Sequence, residues 1–225
     1  MKKLLALILI FSMFGFWNRP AYAVWTYTQN FDGLNTGDLT GQDSWSGSVS
    51  FDVQTTTVLE GTKSVGNTAG GGGVIDRTIT SFTTGDVQFR YQKSSNAANT
   101  DFRVKFLEGT TIRYTVGWAD GAMRLSGATT PSLEDNPLTN TNYCVQVVFN
   151  QPANTAKARL STDCSTWGAY TADVNPSGAN WLAIDAIRLT NDTATFSTFY
   201  DDFKDVTPVV AGELIIDEWW WLIFF

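Results

Sequence analysis

Apolar and polar residues alternate with a period of two along much of the chain. Val87, Phe89 and Tyr91 interleave with Gln88, Arg90 and Gln92. Phe102, Val104 and Phe106 interleave with Arg103 and Lys105, and Ile112, Tyr114, Val116 and Trp118 with Arg113, Thr115 and Gly117. Successive strand side chains point to opposite faces, so each run predicts a strand with one buried and one wet side. The β-branched and aromatic residues that fill these runs suit a pleated, half-buried surface. Turn chemistry separates them: Glu108-Gly109-Thr110, Ala119-Asp120-Gly121 and Gln151-Pro152-Ala153-Asn154 each join two runs. No helix of ten residues or more is expected after residue 23. Many short strands between Gly, Asn and Asp turns predict an all-β antiparallel sandwich or barrel.

The ends depart from this pattern. Lys2 and Lys3 precede an uncharged apolar run over residues 4–16, and Ala21-Tyr22-Ala23 has the small-x-small form of a cleavage site. The expectation is an exported protein with a removable signal peptide, residues 1–23, followed by one domain over 24–207. Loss of the three basic residues in the leader takes the formal charge from −7 to −10. An acidic chain of this kind is a poor partner for nucleic acid or anionic lipid. The tail, residues 208–225, ends in Trp219, Trp220, Trp221, Leu222, Ile223, Phe224 and Phe225. This run is too short to span a bilayer. It reads as a truncated membrane anchor, a segment that contacts a partner or membrane, or a last docked strand.

Cys144 and Cys164 are the two cysteines, and there is no histidine. Export favours a disulfide between them. Centring the hairpin turn on Pro152 and Ala153 sets Cys144 opposite Ser161, so a bridge needs the chain to bend back near residue 164. The alternative is two buried thiols, or a free Cys164 in the turn. The glycine run at residues 70–73 lacks the Lys-Ser or Lys-Thr of a phosphate loop and reads as a surface loop.

Three segments resemble concanavalin A-like (LamG-like) jelly-roll domains of bacterial secreted proteins. The start, with Phe31, Asp32, Gly37, Leu39, Gly41, Gln42 and Trp45, matches their F-[DE]-x-x-x-x-G-x-L-x-G-Q-x-x-W opening. Tyr200-Asp201-Asp202-Phe203 is similar to their aromatic-Asp-Asp-apolar last strand, and Ser161 to Trp167 to an S-x-D-G-x-x-W hairpin with Cys164 in place of glycine. The resemblance implies a two-sheet antiparallel jelly-roll sandwich whose first and last strands pair. It brings Asp32 near Asp201 and Asp202, a fair place for one structural calcium, which takes several oxygen ligands.

Candidate chemistry is thin. Glycanases need two carboxylates across the scissile bond, and the E-x-D-x-E strand that related enzymes carry is absent. Without histidine no Ser-His-Asp or Cys-His arrangement exists. The expectation is a non-catalytic binding or adhesion module at the cell surface or outside it, for polysaccharide or a cell-surface glycan, the sugar being implied by the resemblance. A structural envelope protein and an atypical glycan-cleaving enzyme are the alternatives. Trp167 and Trp181, near turns, are the candidate ring platforms, while Arg90, Arg103 and Arg113, with Gln92 and Lys105, are candidates to floor a groove.

Overall fold

A computed structural model describes residues 23–48, 50–67, 72–94, 102–119, 121–191 and 197–206. The expected leader up to residue 22, the first two glycines of the 70–73 run and the tail from residue 207 lie outside the described residues.

Among the described residues fourteen strands follow one another: β1 (Gly37–Asp38), β2 (Trp45–Gly47), β3 (Asp52–Gln54), β4 (Ser64–Asn67), β5 (Gly73–Phe82), β6 (Thr84–Lys93), β7 (Phe102–Glu108), β8 (Thr111–Ala119), β9 (Ala122–Ser126), β10 (Ser132–Glu134), β11 (Tyr143–Asn150), β12 (Thr155–Ser161), β13 (Ile184–Asn191) and β14 (Thr198–Asp205). They form two antiparallel sheets of seven strands. The first has the order β1-β3-β4-β14-β6-β11-β12 and the second β10-β9-β8-β7-β13-β5-β2. This is a jelly-roll sandwich: the alternation and the turns predict a sandwich or barrel, and the family resemblance implies the jelly roll.

The predicted turns fall where the sequence puts them. Glu108 pairs with Thr111 around Gly109, which adopts a left-handed φ of 57°. Asn150 pairs with Thr155 around Pro152 and Ala153, which sets Cys144 opposite Ser161. The chain ends meet through Gln29 and Phe203, whose amides and carbonyls exchange two hydrogen bonds of 2.8 and 2.9 Å.

The inward residues of each strand fill one core. Val87, Phe89 and Tyr91 of β6 and Val145, Val147 and Phe149 of β11 face Phe106, Tyr114, Val116, Ile187 and Leu189 of the second sheet. Phe149 joins the layers: its ring centroid lies 4.9 Å from Phe106, 5.2 Å from Phe82 and 5.6 Å from Tyr114. Such edge-to-face pairs add to the area they bury. A second aromatic group closes the sandwich where the chain ends meet, with Phe203 stacked on Phe89 at 5.3 Å and Phe31 edge-on to Phe203 at 6.3 Å. A bulge between Asp201 and Lys204, with Asp202 at φ 51°, rephases β14. Tyr200 and Phe203 are thus both buried although three residues apart.

Truncation at the joint between the layers tests this packing. Phe149→Ala should lower unfolding free energy by about 3–5 kcal/mol in urea titration. Val148→Ala, on the opposite face of the same strand, should change it by about 0.5 kcal/mol or less.

Candidate functional site

The two outer faces carry the polar residues, and they divide the predicted arginines between them. Arg90 lies on β6 of the first sheet, Arg103 on β7 of the second and Arg113 at the start of β8. β6 and β7, although consecutive, lie in different sheets: β6 pairs with β11 and β14, and β7 with β8 and β13. The expected single groove floored by Arg90, Arg103 and Arg113 therefore does not form. Arg90 pairs with Glu60 and, at 3.7 Å, with Asp202. Arg113 binds the Glu108 carboxylate at 2.7 and 2.8 Å and donates to the carbonyls of Ser177 and Ala179. Its guanidinium fastens the loop before β13. Arg103 stands with Lys105 on the outer face of β7, in register with Thr190 and Arg188 of β13.

Trp181 is a correction of another kind. It is fully buried, with its ring 6.0 Å from Tyr114 and 6.3 Å from Phe149. Its ring completes the core and offers no face to a ligand.

Trp167 is the predicted ring that stays partly exposed. The segment after β12 folds back along that strand: Gly168 donates to the Leu160 carbonyl, Thr171 to Ala158, and Val174 and Ala156 exchange amide bonds. This return lays Trp167 and Tyr170 over the outer face of the first sheet. The Arg159 guanidinium sits 4.9 Å from the Trp167 centroid and 4.4 Å from that of Tyr170, and Lys157 Nζ lies 4.7 Å from Tyr170. Arg159 Nε donates to Gln146 Oε1 at 2.8 Å, and Gln146 Nε2 donates to Asp86 Oδ2 at 3.2 Å. A strip of two aromatic rings and four polar side chains thus crosses β12, β11 and β6. Burial, with the nearby charge of Asp205, holds the Asp86 carboxyl above its ordinary range. Of this strip, sequence reading named Trp167 and missed Arg159, Lys157, Tyr170, Gln146 and Asp86. Lys157 and Arg159 alternate with Ala156, Ala158 and Leu160, a legible signal for one polar face, but nothing local shows that residue 170 returns over it.

Local chemistry holds the Trp167 turn. Asp163 Oδ1 accepts the amides of Ser165 and Thr166 and the Ser161 hydroxyl at 2.7–2.8 Å. These hydrogen bonds, the Thr166 amide first, keep its carboxyl well below the usual carboxylate range. Cys164 adopts φ 59°, a left-handed conformation that suits glycine. It forms a disulfide with Cys144, whose α-carbon is 5.3 Å away. The bridge ties the turn to β11 on the face where Gln146 lies.

Two of the three predicted metal ligands, Asp32 and Asp201, converge on one loop. Asp32 Oδ1 accepts the Thr62 amide at 2.7 Å and the Lys63 amide at 2.9 Å. Asp201 Oδ2 accepts the Glu60 amide at 2.9 Å, and Asp202 pairs with Lys204 and Arg90. Asp32 and Asp201 are thus pinned to residues 60–63 from the two ends of the chain. The described residues contain no group of three or more His, Cys, Asp or Glu side chains placed to hold a metal ion. Asp201 is a fully buried carboxyl answered by the Glu60 and Asp202 amides alone. Burial, above all, pushes it from 3.8 up to about 7.

No protein-family model and no curated protein matches the sequence. Solved structures do resemble the fold. A sialidase superposes with a TM-score of 0.56 at 13% identity over 78% of this chain; the chain spans only 18% of that protein. Bacillus licheniformis β-glucanase gives 0.50 at 8% identity, over 80% of this chain and 97% of its own. Lectin I-B4 from Griffonia simplicifolia, in its metal-free form, gives 0.50 at 9% identity, over 77% and 94%. These likenesses establish a concanavalin A-like jelly roll.

Two measurements follow. Without metal, the raised Asp201 makes the folded state hold a proton that the unfolded chain has already released. Stability should therefore fall as pH rises from about 4 to 7, and this decline should be absent in Asp201→Asn. For the disulfide, Cys144→Ser with Cys164→Ser should cost about 3 kcal/mol in the chain-entropy model. Replacing Cys164 by Gly instead should recover about 1 kcal/mol of that, read by urea unfolding.

Proposed function

We propose that this protein is a non-catalytic carbohydrate-binding module acting outside the cytoplasm, and that the strip of Trp167, Tyr170, Arg159, Lys157, Gln146 and Asp86 receives the sugar. The observation that carries the reading is the pair of partly exposed rings fixed beside hydrogen-bonding side chains on an otherwise polar sheet face. A pyranose offers apolar C–H faces to a ring and hydroxyls to amides, carboxylates and guanidinium groups, which matches the mix of aromatic area and a few placed polar groups at ligand sites. The solved structures of similar fold include a plant lectin, a sialidase and a β-glucanase. The disulfide supports export, since such bonds persist in oxidising compartments.

The glutamates of the described residues favour binding over hydrolysis. Glu108 holds Arg113 and the Leu182 amide, Glu60 pairs with Arg90, and Glu134 bonds the Asn136 amide. Glycoside hydrolysis needs two carboxylates facing one bond, and these three are spent on loops apart from the strip. A calcium ion at Asp32 and Asp201, with Asp202 beside them, belongs to the same proposal. Its chemistry is neutralisation of a buried carboxylate, so its role is to fasten the chain ends.

A glycan array with residues 24–206 is the test. Trp167→Ala should weaken binding about tenfold, or about 1.4 kcal/mol, at an unchanged melting temperature. Trp181→Ala should lower the melting temperature. Array binding that Trp167→Ala leaves intact removes the strip from the reading. For the metal, calcium should raise the melting temperature at pH 7 and a chelator should reverse it; identical melts remove the ion.

A further inference from the structure

A second feature lies at the margin of the sandwich, away from the strip. β2 pairs with β5 over Ile75, Asp76 and Arg77. Beyond that point the chain segment Thr26, Tyr27 and Thr28 runs opposite Thr78, Ile79 and Thr80, and a cleft of about 440 Å³ opens between them. This volume falls within the range of about 300–1,000 Å³ usual for small-molecule sites. Its wall is mostly hydroxyl: Thr26, Thr28, Thr78 and Thr80 are all exposed.

Arg77 is the anomaly in its floor. On β5 it follows the inward phase of Ile75 and Ile79, both buried, so an apolar side chain is expected there. Its guanidinium instead lies over the Tyr27 ring, 5.0 Å from the centroid, and reaches Asp43 Oδ1 at 3.3 Å. Asp43 Oδ2 accepts the Tyr27 hydroxyl at 3.0 Å and Gln29 Nε2 at 2.8 Å. Arg77 Nη1 donates to the Thr78 carbonyl, while its Nε is buried with no hydrogen-bond partner. A buried donor left unmet is costly unless something accepts from it. Burial, then Asp43, pushes the Tyr27 phenol above its ordinary range, so it stays a donor to Asp43.

We infer that this cleft is a second sugar subsite, for a neutral glycan unit. This rests on the carbohydrate reading above and adds a ligand charge class and a place. The wall supplies hydroxyls that both donate and accept. Charge decides between neutral and acidic sugars. Asp43 already pairs with Arg77, so the cleft offers no net positive charge to an incoming carboxylate. A uronic acid therefore gains nothing from Arg77, whereas the threonine hydroxyls serve an uncharged sugar without any charge partner.

The test maps amide chemical shifts on the processed protein titrated with neutral oligosaccharides (cello-, laminari- and xylohexaose) and with oligogalacturonate as the acidic probe. The expected result is shifts at Thr26, Thr28, Thr78 and Thr80 with a neutral probe, retained in Trp167→Ala. Thr78→Val with Thr80→Val, which removes two hydroxyls and keeps the shape, should weaken that response about tenfold at an unchanged melting temperature. If that pair of changes disturbs folding, Thr28→Val alone should give a smaller loss in the same direction. Shifts confined to the Trp167 strip overturn the second subsite and leave the proposed function standing. Cleft shifts with oligogalacturonate alone overturn the neutral class. No shift at either place with any probe overturns both readings.

Discussion

Two sheets, each greasy on one side, must bury those sides against each other, and every other feature of this protein hangs on that contact. Phe149 is its midpoint, a ring from β11 that touches Phe82, Phe106 and Tyr114 of the opposing layer. Apolar burial is the main favourable term in folding. Because strand side chains alternate strictly, fixing the inner set fixes the outer one as well. Gln146 faces outward because Val145 and Val147 face inward, and the same holds for Arg159 between Ala158 and Leu160. The polar strip is thus a consequence of core packing.

The outer face of the first sheet is then divided by what covers it. At β14 and β6, residues 60–63 are held down by Asp32, Asp201 and the Arg90 pair with Glu60. That half is used to join the ends of the domain. At β11 and β12 the returning segment brings Trp167 and Tyr170 without sealing the face. Ion pairs and amide caps at the first half are fastenings, since their donors and acceptors are matched to one another. The second half keeps the Trp167 and Tyr170 rings and the Arg159 and Lys157 heads partly exposed, which is what recognition requires.

Period-two alternation made the fold legible. It places Val87, Val104 and Val116 in the core, and all three are buried. Turn residues marked the hairpins, and that register put Cys144 opposite Ser161, so that the disulfide required the chain to bend back at residue 164, as it does. Sheet membership was not legible. Arg90 and Arg103 lie on strands adjacent in sequence, yet those strands belong to different sheets, because alternation records which face is wet and not which neighbour is paired. Trp181 misled for a related reason. It sits in irregular chain, where no period reports burial, and its core position comes from Tyr114 and Phe149, residues 67 and 32 positions earlier. Arg77 was hidden by the opposite fault: a charge in a core phase is explained only by Tyr27 and Asp43, which reach it from far along the chain.

Cys164 links sequence resemblance, strain and site. The hairpin that it interrupts commonly has glycine at this position, and the backbone here does adopt the left-handed conformation that glycine tolerates best. A side chain at such a position costs of order 1–2 kcal/mol, so its presence needs a compensating interaction. The disulfide to Cys144 is one, and the three hydrogen bonds on Asp163 Oδ1 next to it are another. Both restrain the same few residues, and both act just before Trp167. A ring that is to meet a ligand loses less entropy if its turn is already fixed. Glycine would relieve the backbone but leave the turn tied only by hydrogen bonds. The cysteine accepts backbone strain in exchange for a covalent tether to the strand that carries Gln146, and so holds Trp167 and its polar neighbours in one register.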